Sequence, residues 1–161
     1  PPGRGAGWTR KGSRMEPSDR VAVEDLSSEW RELLEAARVA REGAYVPYSH
    51  FAVGAAVRTA AGHIYAGSNI ENAVFGLTVC AERVAIWKAV SAGDRELRAI
   101  AVVTETGSTP CGACRQVMAE FADELPVVVA DTAGHAWHTS LRRLLPGAFP
   151  HANLGGRPTL G

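Results

Sequence analysis

No apolar run in the 161 residues approaches the roughly 20 that a membrane helix needs, so no membrane partner is expected. Net charge is lacking too, since 17 Lys and Arg balance 17 Asp and Glu. That zero is composite. Residues 1–14 hold Arg4, Arg10, Lys11 and Arg14 and no acid, which leaves 13 basic residues against 17 acidic ones elsewhere, about −4. A body of that sign is poorly suited to gripping phosphate backbones, so no nucleic-acid partner is expected. A Gly-rich phosphate cradle and an arginine fork are also missing. Cysteine is scarce, with three residues: Cys80, Cys111 and Cys114. An odd count in a chain of this size argues against a disulfide scaffold and for a reducing, cytoplasmic compartment. There is no internal repeat.

What is present is ordinary for a globular protein, with 46% apolar and 21% charged residues. The length suits one domain with a core that needs no staples. Residues 1–14, "PPGRGAGWTRKGSR", are rich in Gly, Pro and Arg and read as a disordered extension. Residues 15–161 read as a single folded domain whose tail, "GGRPTLG", frays.

Ser27 or Ser28 can cap a helix running to about Arg41, with Trp30, Leu33, Leu34, Ala37 and Val39 as its apolar stripe and Gly43 as its stop. "HFAVGAAVRT" and "IYAGSNI" read as strands joined by the turn "AAGH". "CAERVAIWKAVSAG" is the strongest helical segment, closed by Gly93. "LRAIAVVT" and "PVVVA" are continuous apolar strands of the type buried on both faces, and a helix from Cys111 to about Ala122 lies between them. "DTAGH" turns into "AWHTS", and "SLRRLLPGAFP" is a short last helix stopped by Pro146. The order α-β-β-α-β-α-β-β-α predicts an α/β three-layer sandwich: a five-stranded mixed sheet with helices on both faces.

"PCGACRQ", residues 110–116, sets two thiols at i and i+3 on the first turn of a helix, hence on one face. Cys80 opens another helix, as "CAE". The positive end of each helix dipole favours thiolates. A structural zinc site is normally closed by four ligands, but no fourth cysteine exists. The histidines at 50, 63, 135, 138 and 151 have no close spacing to the cysteines. Three thiolates with an open position fit a catalytic zinc. Such a site is net negative, and Arg83 or Arg115 could withdraw charge by hydrogen-bonding a sulfur. Glu82, two residues after Cys80, suits a proton shuttle. Rival readings are a thioredoxin-like redox pair in "CGAC", a buried core cysteine at 80, and an ordinary first-turn acid at 82. The combination shifts the balance towards zinc catalysis, with a non-catalytic zinc or redox module using "CGAC" as the remaining rival: C-x-E followed by P-C-x-x-C, each at a helix start after a β segment, is an all-cysteine form of the nucleobase zinc-deaminase signature.

"NIENAVFGLTVCAERVAIWKAVSAG" and "PCGACRQVMAEF" resemble the cytidine deaminase family, in its small, homotetrameric, three-cysteine class. "VPYSHFAVGAAV" and "LLPGAF" are similar to the family's segments before the active site and at the C-terminus, so the likeness covers about residues 28–150. The resemblance implies one Zn2+ per chain on Cys80, Cys111 and Cys114, with proton transfer by Glu82. It implies hydrolytic deamination of cytidine and 2′-deoxycytidine to uridine and 2′-deoxyuridine, in pyrimidine salvage. Asn69 and Glu71 would bind the ribose 3′-hydroxyl, the Ala81 N–H the pyrimidine O2, and Phe51 the base. Ala73 and Phe75 would reach a neighbouring subunit's site near the 5′-hydroxyl, and Phe149 would lie over a neighbour's base. Many members carry Tyr where this chain has Phe75, so no hydroxyl comes from that position. A deaminase of an aminopyrimidine antibiotic such as blasticidin shares the zinc motifs and is the nearest rival. His50, beside Phe51, reads as a solvated loop residue.

Overall fold

A computed structural model describes residues 20–149. The extension assigned to residues 1–14 and the tail "GGRPTLG" lie outside the described residues. The elements are β1 (Arg20–Ala22), α1 (Ser28–Glu42), β2 (Gly54–Thr59), β3 (Ile64–Ser68), α2 (Ala81–Ser91), β4 (Leu97–Val103), α3 (Gly112–Phe121), β5 (Pro126–Ala130), β6 (His135–Ser140) and α4 (Leu141–Leu144), with short 3-10 turns at Val23–Asp25 and Phe75–Leu77.

The sheet has six strands, in the order β1-β6-β5-β4-β2-β3, rather than five. The added strand is β1, which pairs antiparallel with β6 through Arg20 opposite Trp137 and Ala22 opposite His135. Three residues are too few to show an alternating pattern, so β1 has no signature of its own. Only β4 and β5 run parallel, which makes the sheet mixed. Residues 50–53, expected as the start of a strand, are irregular, and β2 begins at Gly54.

The apolar runs are buried on both faces because two layers cover the sheet. Ala55, Val57, Ile100, Val102, Val127 and Val129 face the core shared with α2 and α3. The alternate residues Ala56, Ala101, Val103 and Val128 face α1, through Leu33, Leu34 and Ala37. Period-two alternation thus feeds two cores from each central strand. Small residues set the spacing. A Cβ on Gly54 would strike the Ala37 carbonyl oxygen and the Arg41 backbone, so α1 lies directly on β2. On the other face, a Cβ on Gly67 would come within 2.8 Å of Val84 and the Ala85 nitrogen, so α2 lies directly on β3. The second contact seats the first turns of α2 on β3. The site is built at that point.

Candidate metal centre and nucleoside pocket

Cys80 is the N-cap residue of α2, and Cys111 is the N-cap residue of α3. Both have extended backbone, so each thiol stands at the open end of its helix among unpaired N–H groups. Cys114 lies one turn into α3 and is fully buried. The Cys80 and Cys111 sulfurs are 3.9 Å apart, those of Cys111 and Cys114 are 3.5 Å apart, and all three lie within 4.8 Å of one another. Tetrahedral zinc with Zn–S bonds of about 2.3 Å needs sulfurs about 3.8 Å apart, so the donor set fits that ion in number, type and spacing. Two of the three come from one helical turn and the third from a second helix.

The electrostatics favour metal over free thiols. The Cys80 thiol is pulled down to about 5, first by its hydrogen bond with Cys114 and then, against burial, by Arg83 and Cys111. The Cys114 thiol is pushed up by the same shared hydrogen bond, by burial and by the Glu82 charge. The two shifts are opposite because the thiols share one hydrogen bond, whose proton a bound metal would displace. Arg83 Nη2 donates to the Cys80 sulfur at 3.7 Å and to the Thr78 carbonyl at 3.2 Å. The guanidinium lies over the Trp87 ring, 5.8 Å from its centroid. Arg115 does not reach a sulfur. Its guanidinium donates to the Pro110 carbonyl, Thr109 Oγ1 and the Leu144 carbonyl instead.

Glu82 shares the buried stripe of α2 with Ile86, one turn on, while Ala81, Ala85 and Ala89 form the adjoining stripe. The helical period thus carries a carboxylate inward, where it is only 3% exposed. Burial pushes its pKa up, and the Cys80 charge adds to that. Glu82 lines a cavity of about 200 Å³ together with Phe51, Asn69, Cys80, Thr104 and Cys111.

The segment leading to Phe51 is held by two polar side chains. Asn69 Oδ1 accepts from the Val53 N–H (2.9 Å), and its Nδ2 donates to the Phe51 carbonyl (2.9 Å). Glu71 Oε2 accepts from the N–H groups of Tyr48 (2.9 Å) and Ser49 (3.2 Å). A hydrogen bond from the Ser49 side chain, followed by these two, lowers the Glu71 pKa. Glu71 is half-buried. His50 is exposed, as expected, but it turns the chain with φ 57°, the left-handed region, immediately before Phe51. Sequence reasoning missed this backbone role of Asn69, and it missed Thr104, whose hydroxyl accepts from the Ser108 N–H at 2.8 Å and shapes the cavity wall.

Ala81 is buried at the first turn of α2. Ala73, Phe75 and Phe149 are exposed and do not line the cavity with Cys80 and Glu82. Phe75 is 73% exposed and makes a T-shaped contact with Tyr48, at 5.7 Å between ring centroids.

Comparison with known proteins agrees with this geometry. Residues 27–130 match the family model described as the cytidine and deoxycytidylate deaminase zinc-binding region. A cytidine deaminase from Sporosarcina psychrophila is 50% identical over 125 residues, covering 76% of this chain and 92% of that protein. The crystal structure of cytidine deaminase from Burkholderia pseudomallei superposes with a TM-score of 0.72 at 49% identity, covering 77% of this chain and all of that one. Blasticidin-S deaminase from Bacillus cereus is 32% identical over 132 residues, covering 76% of this chain and 93% of that protein. The zinc-binding family and the three-cysteine cluster together support one Zn2+ per chain. The chain belongs to the cytidine deaminase family, as an enzyme of the hydrolytic deaminase type.

Proposed function

We propose that the protein converts cytidine and 2′-deoxycytidine to uridine and 2′-deoxyuridine with release of ammonia, in pyrimidine salvage in the cytoplasm. The observation that carries this reading is a three-thiol cluster at zinc spacing beside a buried carboxylate, with Cys80, Cys111 and Glu82 lining one cavity of about 200 Å³. Bound there, zinc supplies Lewis acidity that makes water nucleophilic near neutral pH. Glu82 takes a proton from the attacking water and passes it to the pyrimidine N3 as the oxygen bonds to C4, then takes the remaining proton from that hydroxyl and hands it to the departing amine, so that the C4 carbonyl forms as ammonia leaves. The rise in its pKa caused by burial suits a group that must both hold and release a proton. The Ala81 N–H, at the start of α2, holds the pyrimidine O2. Arg83 offsets the negative charge of three thiolates through its contact with Cys80.

Phe51 packs on the base, its place fixed by the Asn69 amide. The Glu71 carboxylate, held by the Tyr48 and Ser49 N–H groups, accepts a hydrogen bond from the 3′-hydroxyl. The substrate is a free nucleoside, because a second negative charge beside Glu71 would be repelled. The protein assembles as a homotetramer in which Ala73, Phe75 and Phe149 complete a neighbour's site.

The test is loss of the cytidine chromophore on addition of enzyme, with 3′-deoxycytidine, cytosine and blasticidin S run alongside. Cytidine and 2′-deoxycytidine should react well. Removing the 3′-hydroxyl should lower kcat/KM roughly tenfold or more, an effect that Glu71→Gln abolishes. A 3′-deoxycytidine that matches cytidine in the unmutated protein sinks the ribose assignment. Blasticidin S as the better substrate sinks the choice of cytidine.

A further inference from the structure

The stretch "PCGACRQ" ends on Gln116, which neither the metal nor the nucleoside explains. It stands on α3 two residues after the buried Cys114. Its carboxamide reaches the backbone of Phe149, 33 positions away. Gln116 Nε2 donates to the Phe149 carbonyl at 3.1 Å, and the Phe149 N–H donates to Gln116 Oε1 at 3.3 Å. A side-chain amide that gives to and takes from one residue's backbone satisfies it as a neighbouring strand would.

Leu145 packs against the core, and Phe149 at the far end of the segment is exposed. After α4 the chain reverses at Gly147, whose φ of 72° lies in the left-handed region. Beneath the returning segment is a cavity of about 240 Å³, lined by Ala119, Ala122, Leu141, Leu145 and Phe149. The Phe149 ring is 58% exposed. The two hydrogen bonds from Gln116 tie the Phe149 backbone to α3, beyond the hold of Arg115 on the Leu144 carbonyl. The arrangement mirrors Asn69, whose amide holds the Phe51–Val53 backbone in the same two-point fashion. Each aromatic ring assigned to the base thus has a carboxamide clasp on its own backbone.

We propose that Gln116 is a positioning residue for nucleoside binding: its carboxamide clasps the Phe149 backbone and holds the Phe149 ring where a neighbouring subunit's base meets it. The inference rests on the reading of Phe149 as a base-covering ring. It places the aim of the C-terminal segment on the helix that presents Cys111 and Cys114. The ring and the metal pair therefore share one frame of reference. A clasp of this kind acts on substrate affinity, not on the chemical step.

The experiment uses the zinc-loaded full chain. Gln116→Met keeps side-chain length and helix preference while removing both hydrogen bonds. Gln116→Glu keeps an acceptor for the Phe149 N–H and loses the donor. Amide hydrogen exchange across residues 145–149 should accelerate in Gln116→Met and less so in Gln116→Glu. KM for cytidine should rise about three- to tenfold in Gln116→Met with kcat changed by less than about twofold, and zinc content should be unchanged. In a Phe149→Ala background the same substitution should add nothing further to KM. Unchanged exchange, or an equal rise in KM in both backgrounds, overturns the proposal. A Phe149→Ala protein that binds cytidine normally, while Gln116→Met still loosens the segment, places the failure in the Phe149 reading, and the binding role of Gln116 falls with it.

Discussion

Glu82 occupies a position where a carboxylate is expensive. It shares an inward-facing stripe with Ile86, and a side chain so placed is usually apolar. Its cost is offset only if the group is used. Glu82→Gln keeps the shape and removes the ability to pass a proton. Turnover should fall at least about a hundredfold, while zinc content and thermal stability stay close to those of the unmutated protein. Cys111→Ala should lose zinc as well, because three ligands leave no spare. Metal analysis beside the cytidine absorbance assay separates the two outcomes, and near-normal turnover in Glu82→Gln refutes the proton-transfer role. The thiols and this carboxylate were legible in the sequence because their spacing is local. One helical turn converts i and i+3 into a shared face, and a helix start converts C-x-E into a metal edge. Asn69 was legible only as a candidate sugar ligand. Its hold on the Phe51 backbone, like that of Gln116 on Phe149, depends on partners 16 to 33 positions away, and no local pattern encodes these.

At the scale of elements, the strands and long helices were legible because apolar period carries them. Two departures share one cause. β1 is held less by its own residues than by what it pairs with, and residues 50–53 are held out of a strand by Asn69, Glu71 and the turn at His50. The anchor of β1 is Asp131. Arg20 donates to Asp131 Oδ2 at 2.9 Å and stacks over Trp137, while the N–H groups of Ala133 and His135 both donate to Oδ1 at 2.9 Å. Burial alone would raise the Asp131 pKa, but these hydrogen bonds hold it below the ordinary carboxylate value. A depressed folded-state pKa gives stability that is present above about pH 4 and lost as pH falls through the folded value. Asp131→Asn should therefore unfold at lower temperature than the unmutated protein at pH 7, with the gap narrowing below about pH 4. The difference between the two melting curves is the quantity to read, since acid releases zinc from both; a gap that stays constant from pH 7 to 3 contradicts the assignment. The contact between α1 and β2 permits a second test on this scale. Gly54→Ala puts a methyl group against backbone, which cannot swing aside, and should cost about 1–3 kcal/mol in denaturant unfolding. A neutral result would mean that α1 is free to lift from the sheet.

The whole molecule leaves a question that the fold alone does not answer. Ile70, Val74, Phe75 and Leu77 are all exposed, within eight residues of one another and directly ahead of α2. Scattered apolar residues on a surface need no explanation, but a contiguous set of this size marks a contact surface. Among the described residues no helix is long and apolar enough to cross a membrane, so a bilayer-spanning helix is not the reason for the exposure. The proposed second copy of the chain would also account for Phe75 and Phe149, which stand outside the cavity that holds Cys80 and Glu82. The prediction is a tetramer in light scattering at micromolar concentration. Leu77, 68% exposed and without a place in the proposed chemistry, is the position to challenge it. Leu77→Asp should shift the protein towards smaller species, because a carboxylate buried at an apolar contact is left unpaired. If sites are completed across subunits, KM for cytidine should rise as the tetramer dissociates, and zinc should stay bound because its three ligands all come from one chain. A dissociated Leu77→Asp protein with unchanged kinetics would show each site to be complete within one chain, and the roles given to Ala73, Phe75 and Phe149 in a neighbour's site would have to be withdrawn.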